Sequence, residues 1–144
     1  METSSLYAGL WAGFVATIYL SLFMIAKGRL GLTPAFDPLG DIAALADKFA
    51  GVKLSSRARW IGHFIMGSFV WGVSYAVFQP ALPGGEPWVK GLVFGALAWL
   101  VSMVLFMPMA DEGFFGKKIG VPGVGVGLLL HLVYGFVVGN VYAY

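Results

Sequence analysis

Two histidines stand in matching surroundings. His63-x-x-x-Gly67 is followed by Gly72 and Tyr75-Ala76, and His131-x-x-x-Gly135 is followed by Gly139 and Tyr142-Ala143. A glycine four residues after a histidine lies on the same helix face, so each imidazole has open space beside it. Two such imidazoles approaching from opposite sides would ligate the iron of a haem b, with the glycines leaving room for the macrocycle. One of them would equally serve a quinone carbonyl or a lipid headgroup as a hydrogen-bond partner. The plainer reading is a histidine bonded to a neighbouring backbone group or hydroxyl inside a bundle, as intramembrane polar groups usually are. Arg57 and Arg59, just before His63, are candidate anchors for haem propionates, although their counterparts by spacing are Gly125 and Gly127.

The elements that would position these histidines are written twice. Gly9-Leu10-x-x-Gly13-x-x-Ala16 with Phe23-Met24 recurs as Gly91-Leu92-x-x-Gly95-x-x-Ala98 with Phe106-Met107, allowing one gap, and the histidine segments also match with one gap. Hydrophobic residues make up 59% of the chain, charged residues 11%, and mean hydropathy is +0.84. That balance belongs in a bilayer. Stretches without Asp, Glu, Lys or Arg predict spanning helices at about 6–26, 60–79, 89–108 and 122–143. The expected fold is a single all-α membrane domain over 1–144, made of two tandem hairpins at about 6–79 and 88–143. Because each copy holds two helices, both insert the same way up, related by a pseudo-two-fold axis along the membrane normal. The rows Gly9/Gly13/Ala16 and Gly91/Gly95/Ala98, with Gly67 and Gly135, are helix-packing seams of the small-xxx-small kind, within the chain or between copies of it.

Basic residues set the orientation. Lys27, Arg29, Lys48, Lys53, Arg57 and Arg59 lie between the first and second spans, Lys117 and Lys118 between the third and fourth, and only Lys90 on the opposite side. This bias places connections 27–59 and 109–121 in the cytoplasm and both termini outside. The net charge of +2 is accounted for by topology, with no nucleic-acid partner implied. Met1-Glu2-Thr3-Ser4-Ser5 lacks the basic start of a signal peptide, so the first helix is expected to be retained. Within the first connection, Asp37 reads as an N-cap, Pro38 as the first helical residue, Asp41 as a first-turn acid and Gly51 as a stop. Ile42, Leu45 and Phe49 share one face, giving a short amphipathic helix at about 38–50 that lies on the inner membrane surface or packs under the bundle as a lid. In the second connection Phe114 and Phe115 are expected to dip into the interface. The alternating glycines from Gly123 to Gly127 suggest an irregular or closely packed start to the last helix.

No catalytic set can be assembled: there is no Ser/His/Asp arrangement, metal motif, phosphate loop or carboxylate pair, and no acid within the spans. The chain has no cysteine, which excludes disulfide and thiol chemistry.

Phe36-Asp37-Pro38-Leu39-Gly40, Leu82-Pro83-Gly84-Gly85, Lys90-Gly91-Leu92-Val93-Phe94-Gly95, Met107-Pro108 with Gly113-Phe114-Phe115-Gly116, and His131-Leu132-Val133-Tyr134-Gly135 form an ordered set over nearly the whole chain. It resembles a family of small four-helix prokaryotic membrane proteins of unknown function. The resemblance implies a bacterial or archaeal inner-membrane protein and carries no activity with it. The expected role is a non-catalytic accessory subunit, partnered by lipid and other membrane subunits, of a respiratory or electron-transfer assembly. The alternatives are a small haem-b or quinone-binding protein using His63 and His131, and a small transporter or channel.

Overall fold

The computed structural model describes residues 3–29 and 36–143. Met1 and Glu2, read above as part of an unprocessed start, lie outside them, as does the Lys27 side chain. The described residues form helices and turns with no strand. Four helices are long and apolar enough to cross a membrane: Ser5–Ala26, Ser56–Ala81, Pro87–Met109 and Gly120–Tyr142. They agree with the spans expected from charge-free stretches, because in a bilayer every backbone amide must be bonded within its own segment. We label Thr3–Arg29 α1, Pro38–Ala50 α2, Ser56–Ala81 α3, Pro87–Met109 α4 and Gly120–Tyr142 α5.

Local chemistry sets the ends. In α3 the Ser55 hydroxyl accepts the Ala58 amide at 3.3 Å, and α4 opens on Pro87 at its first turn. The α2 helix begins on Pro38 and stops at Gly51, whose φ of 64° puts it in the left-handed region where glycine is favoured. Asp37 occupies the N-cap position, but it caps through its backbone: its carbonyl accepts the Asp41 amide at 3.0 Å while its side chain makes no capping bond. The Asp37 carboxylate lies instead over Gly40, where a Cβ would collide with it. Ile42 and Leu45 turn inward as expected, whereas Phe49, one turn further on, is exposed.

Glycine seams hold the helices in pairs. Gly9 meets Gly72, and Gly13 meets Gly67 and Gly72, so α1 lies backbone to backbone on α3; Gly91 meets Gly135 and Gly139, and Gly95 meets His131 and Gly135, joining α4 to α5. Ala16 and Ala98 continue the two rows into the core. Helix α1 also packs along α5. Around these seams, near the chain termini, the core is filled by Tyr75, Phe94, Tyr134 and Val138. Tyr75 stands edge-on to Phe94 and Tyr142 at centroid distances of 5.2 and 5.4 Å. A second cluster of Phe36, Met103, Met107, Ile119 and Leu130 occupies the end carrying α2.

Two spanning helices are not α-helical throughout. A π segment covers Met66–Gly72 in α3, and another covers Ser102–Phe106 in α4. A π turn accommodates one added residue in a continuous helix, and these positions coincide with the two gaps in the repeated spacing. Gly72 follows Gly67 by five residues where Gly139 follows Gly135 by four; Phe106 follows Ala98 by eight where Phe23 follows Ala16 by seven. Each extra residue is absorbed within a π segment.

The turn between α4 and α5 is tightly folded, with Asp111 and Phe115 at φ of 65° and 58°. Phe114 and Phe115 are both exposed, Phe115 standing edge-on to Trp99 at 5.4 Å. Lys48 of α2 donates to Asp111 at 2.7 Å, fastening the two connections together. The glycine-rich start of α5 is regular helix: Gly123 and Gly127 are buried, and Gly125 has open space beside it.

The seams predict opposite outcomes for chemically identical changes. Gly91→Ala and Gly135→Ala each drive a methyl group into the facing carbonyl and should cost about 1–3 kcal/mol as overpacking. Gly125→Ala meets nothing and should be neutral or gain up to about 1 kcal/mol. Unfolding titrations in mixed detergent micelles measure the difference.

Candidate functional site

Below the glycine seams the helices diverge around a cavity of about 120 Å³. All four spanning helices wall it. Thr17, Leu20 and Met24 come from α1; His63, Met66, Gly67 and Trp71 from α3; Ala98, Ser102, Phe106 and Met107 from α4; and Leu130, His131 and Tyr134 from α5. The remaining side is closed by Phe36 and by Pro38, Asp41, Ile42 and Leu45 of α2, so α2 packs on the bundle as a lid. Both π segments open on this space, the first through Met66, Gly67 and Trp71 and the second through Ser102 and Phe106.

The two histidines reach the same cavity and differ in bonding. His131 Nδ1 is 2.7 Å from the Gly127 carbonyl and Nε2 is 3.0 Å from Ser102 Oγ. A carbonyl only accepts, so Nδ1 carries the hydrogen, and in the neutral ring Nε2 accepts the Ser102 hydroxyl. Both nitrogens are thereby engaged. His63 is buried with its Nε2 unpartnered, its ring edge-on to Trp60 and Phe64, each at 5.8 Å. Tyr134 Oη donates to Gly67 O, a carbonyl inside the first π segment, at 2.6 Å.

Of the remaining residues singled out from sequence, Gly67 and Ala98 line the cavity, whereas Gly9, Gly13, Ala16, Gly91, Gly95 and Gly135 do not. Arg57 and Arg59 are exposed, and Arg59 Nε donates to the Leu54 carbonyl at 3.3 Å. A second hollow of about 500 Å³ lies between α3 and α4, sharing Trp71 and Ala98 with the cavity; its other lining residues are apolar apart from Ser74.

The acid at the cavity is Asp41. Sequence reasoning placed it in the first turn of a helix lying on the membrane surface or under the bundle as a lid, outside the spans, and gave it no role in a site. One signal was available: Asp41 precedes Leu45 by four residues, so it shares the apolar face of α2. Burial, with smaller contributions from Glu112 and Asp37, pushes its pKa from 3.8 up to about 7. Asp111 behaves oppositely, its carboxyl held below the ordinary value by the Lys48 hydrogen bond and charge. Thr17, Ser102 and Tyr134 were also missed, because single hydroxyls in apolar helices carry no spacing signal.

A raised carboxyl pKa makes the folded state the proton-rich one, so stability is full near pH 4 and falls as pH rises through about 7. Unfolding midpoints at pH 5 and pH 8 should show this loss, and Asp41→Asn should flatten the profile and stabilise the protein at pH 8.

No curated protein and no solved structure matches the chain. A family model does, over residues 3–144, and its description is a family of unknown function. Its extent agrees with the ordered motifs that run from Phe36 to Gly135. The chain is therefore a member of the family of unknown function DUF6789.

Proposed function

We propose that this protein is a small-molecule binding and transport protein of the membrane, with the cavity beneath α2 as its ligand site. The observation that carries the reading is the convergence of both π segments on one cavity. An added residue that strains a spanning helix is commonly retained where it shapes a functional site, and here two such residues on different helices serve the same space. An apolar pocket with a few convergent polar groups is the form expected of a ligand site.

Asp41 favours this reading over the accessory-subunit one, which drew support from the lack of an ionisable group. The cavity is also too small for a macrocycle: an engineered cavity of about 150 Å³ takes benzene, and here the space is about 120 Å³. With both His131 nitrogens engaged, a bis-histidine haem would have to displace the Ser102 bond. Trp71, shared by the cavity and the outer hollow, is the natural partition between ligand and lipid.

The finer architecture belongs to the same proposal. The chain is two tandem hairpins related about the membrane normal, supported by the paired glycine seams and by the coincidence of both gaps with π turns. The basic connections, with α2, face the cytoplasm of a prokaryotic inner membrane, and the termini lie outside, supported by the Lys/Arg bias.

Ala98 is 3% exposed and lines the cavity, so Ala98→Phe should fill it. Liposomes bearing the wild-type chain should pass members of a panel of small amines, alcohols and acids, and folded Ala98→Phe should reduce that flux at least tenfold. An inert wild type that also co-purifies stoichiometrically with larger membrane subunits would overturn transport in favour of the accessory role.

A further inference from the structure

Resting on the reading of the cavity as a ligand site, we propose that its ligand is a small organic ammonium ion, bound in exchange for a proton at Asp41. The hydroxyls lining the cavity carry the inference. Thr17 Oγ1 donates to Gly13 O at 2.7 Å, Tyr134 Oη donates to Gly67 O at 2.6 Å, and Ser102 Oγ donates to His131 Nε2 at 3.0 Å. Each proton is committed to the protein, and each oxygen keeps lone pairs. A hydroxyl in this state accepts and does not donate. The complementary ligand brings its own N–H donors, which an ammonium group does and a quinone carbonyl or a carboxylate does not.

Asp41 supplies the countercharge. Among the described residues no cation lies in ion-pair contact with it; Lys48, on the same helix, is bonded to Asp111. The titratable groups around Asp41 are Asp37 at the entry of its own helix, Glu112 from the turn between α4 and α5, and His63, His131 and Tyr134, which line the same cavity. The lining residues of α1 and α4 carry no charge. An acidic mouth alone would not define a site, but a second feature points to a ligand independently. His63 lines the cavity, is 7% exposed, and its buried Nε2 has no hydrogen-bond partner. The aromatic rings of Trp71 and Phe106, 6.0 Å apart, present the apolar and π surfaces that organic cations favour.

The exchange balances simply. With its pKa near 7, Asp41 is substantially protonated at neutral pH; the incoming ammonium pairs with the carboxylate, and the carboxyl proton leaves to water. Affinity for an amine that stays protonated across this range should therefore rise about tenfold between pH 6 and pH 8, following the ionised fraction of Asp41.

Isothermal titration of the purified full chain in mild detergent with butylammonium, butan-1-ol and butyrate tests this, because the three share a body of one size. The expected result is binding of butylammonium with proton release, about tenfold tighter at pH 8 than at pH 6, and at least tenfold tighter than either isostere at pH 8. Asp41→Asn, which preserves shape, should abolish the pH dependence; the wild-type ligand comparison stands by itself if that variant misfolds. Butan-1-ol or butyrate binding as tightly as butylammonium overturns the ammonium assignment and leaves the cavity a ligand site. PH-independent binding of butylammonium overturns the exchange. Absence of binding by all three overturns both this inference and the reading it rests on.

Discussion

An extra residue in a membrane-spanning helix has nowhere to go. On a soluble protein it would be looped into water, but in hydrocarbon an unbonded amide or carbonyl costs several kcal/mol, so the helix keeps the residue by widening one turn. The segments Met66–Gly72 and Ser102–Phe106 are such turns. The helices matched to them by sequence, α5 and α1, lack the extra residue, so the π turns sit on α3 and α4. Much of the site follows from that: Gly67 presents its carbonyl to Tyr134, Ser102 reaches His131, and both π segments border the cavity.

The two ends of the bundle consequently do different work. Toward the termini, glycine backbones meet directly within the pairs α1–α3 and α4–α5 and the aromatic cluster around Tyr75 packs beside them, with the outer hollow left between α3 and α4. Close packing substitutes there for the hydrophobic force that lipid removes. Toward the connections, the helices are held apart and the gap is covered by α2, which is fastened to the opposite turn through Lys48 and Asp111. The close-packed seams and the α2 lid leave Thr17, Ser102, Tyr134 and both histidines around one small space.

Much of this was legible in the residues. Charge-free stretches marked the four helices, Pro38 and Gly51 bounded α2, and the matched spacings singled out His63 and His131, both of which line the cavity. The glycine rows stood out by their spacing, and in the structure their backbones meet within the chain. The gaps in the repeats were visible, but a gap has no shape until the backbone shows it as a π turn. Asp41 stands in the first turn of α2 as its position implied, but a first-turn acid is ordinarily explained by the helix dipole, and its place on the apolar face of α2 matters only once that face covers a cavity. Phe49 shares the helical spacing of Ile42 and Leu45 yet lies beyond the covered surface, and Phe115, with a left-handed backbone, remains exposed while standing edge-on to Trp99.

The bundle is open beneath α2 and close-packed along its two glycine seams. The absence of cysteine makes this directly measurable by single-cysteine labelling with a small cationic thiosulfonate reagent. Folded Ser102→Cys should react readily, and Val138→Cys, at a fully buried position, should stay protected under the same conditions. Equal protection at both positions, or faster labelling at position 138, would contradict the account.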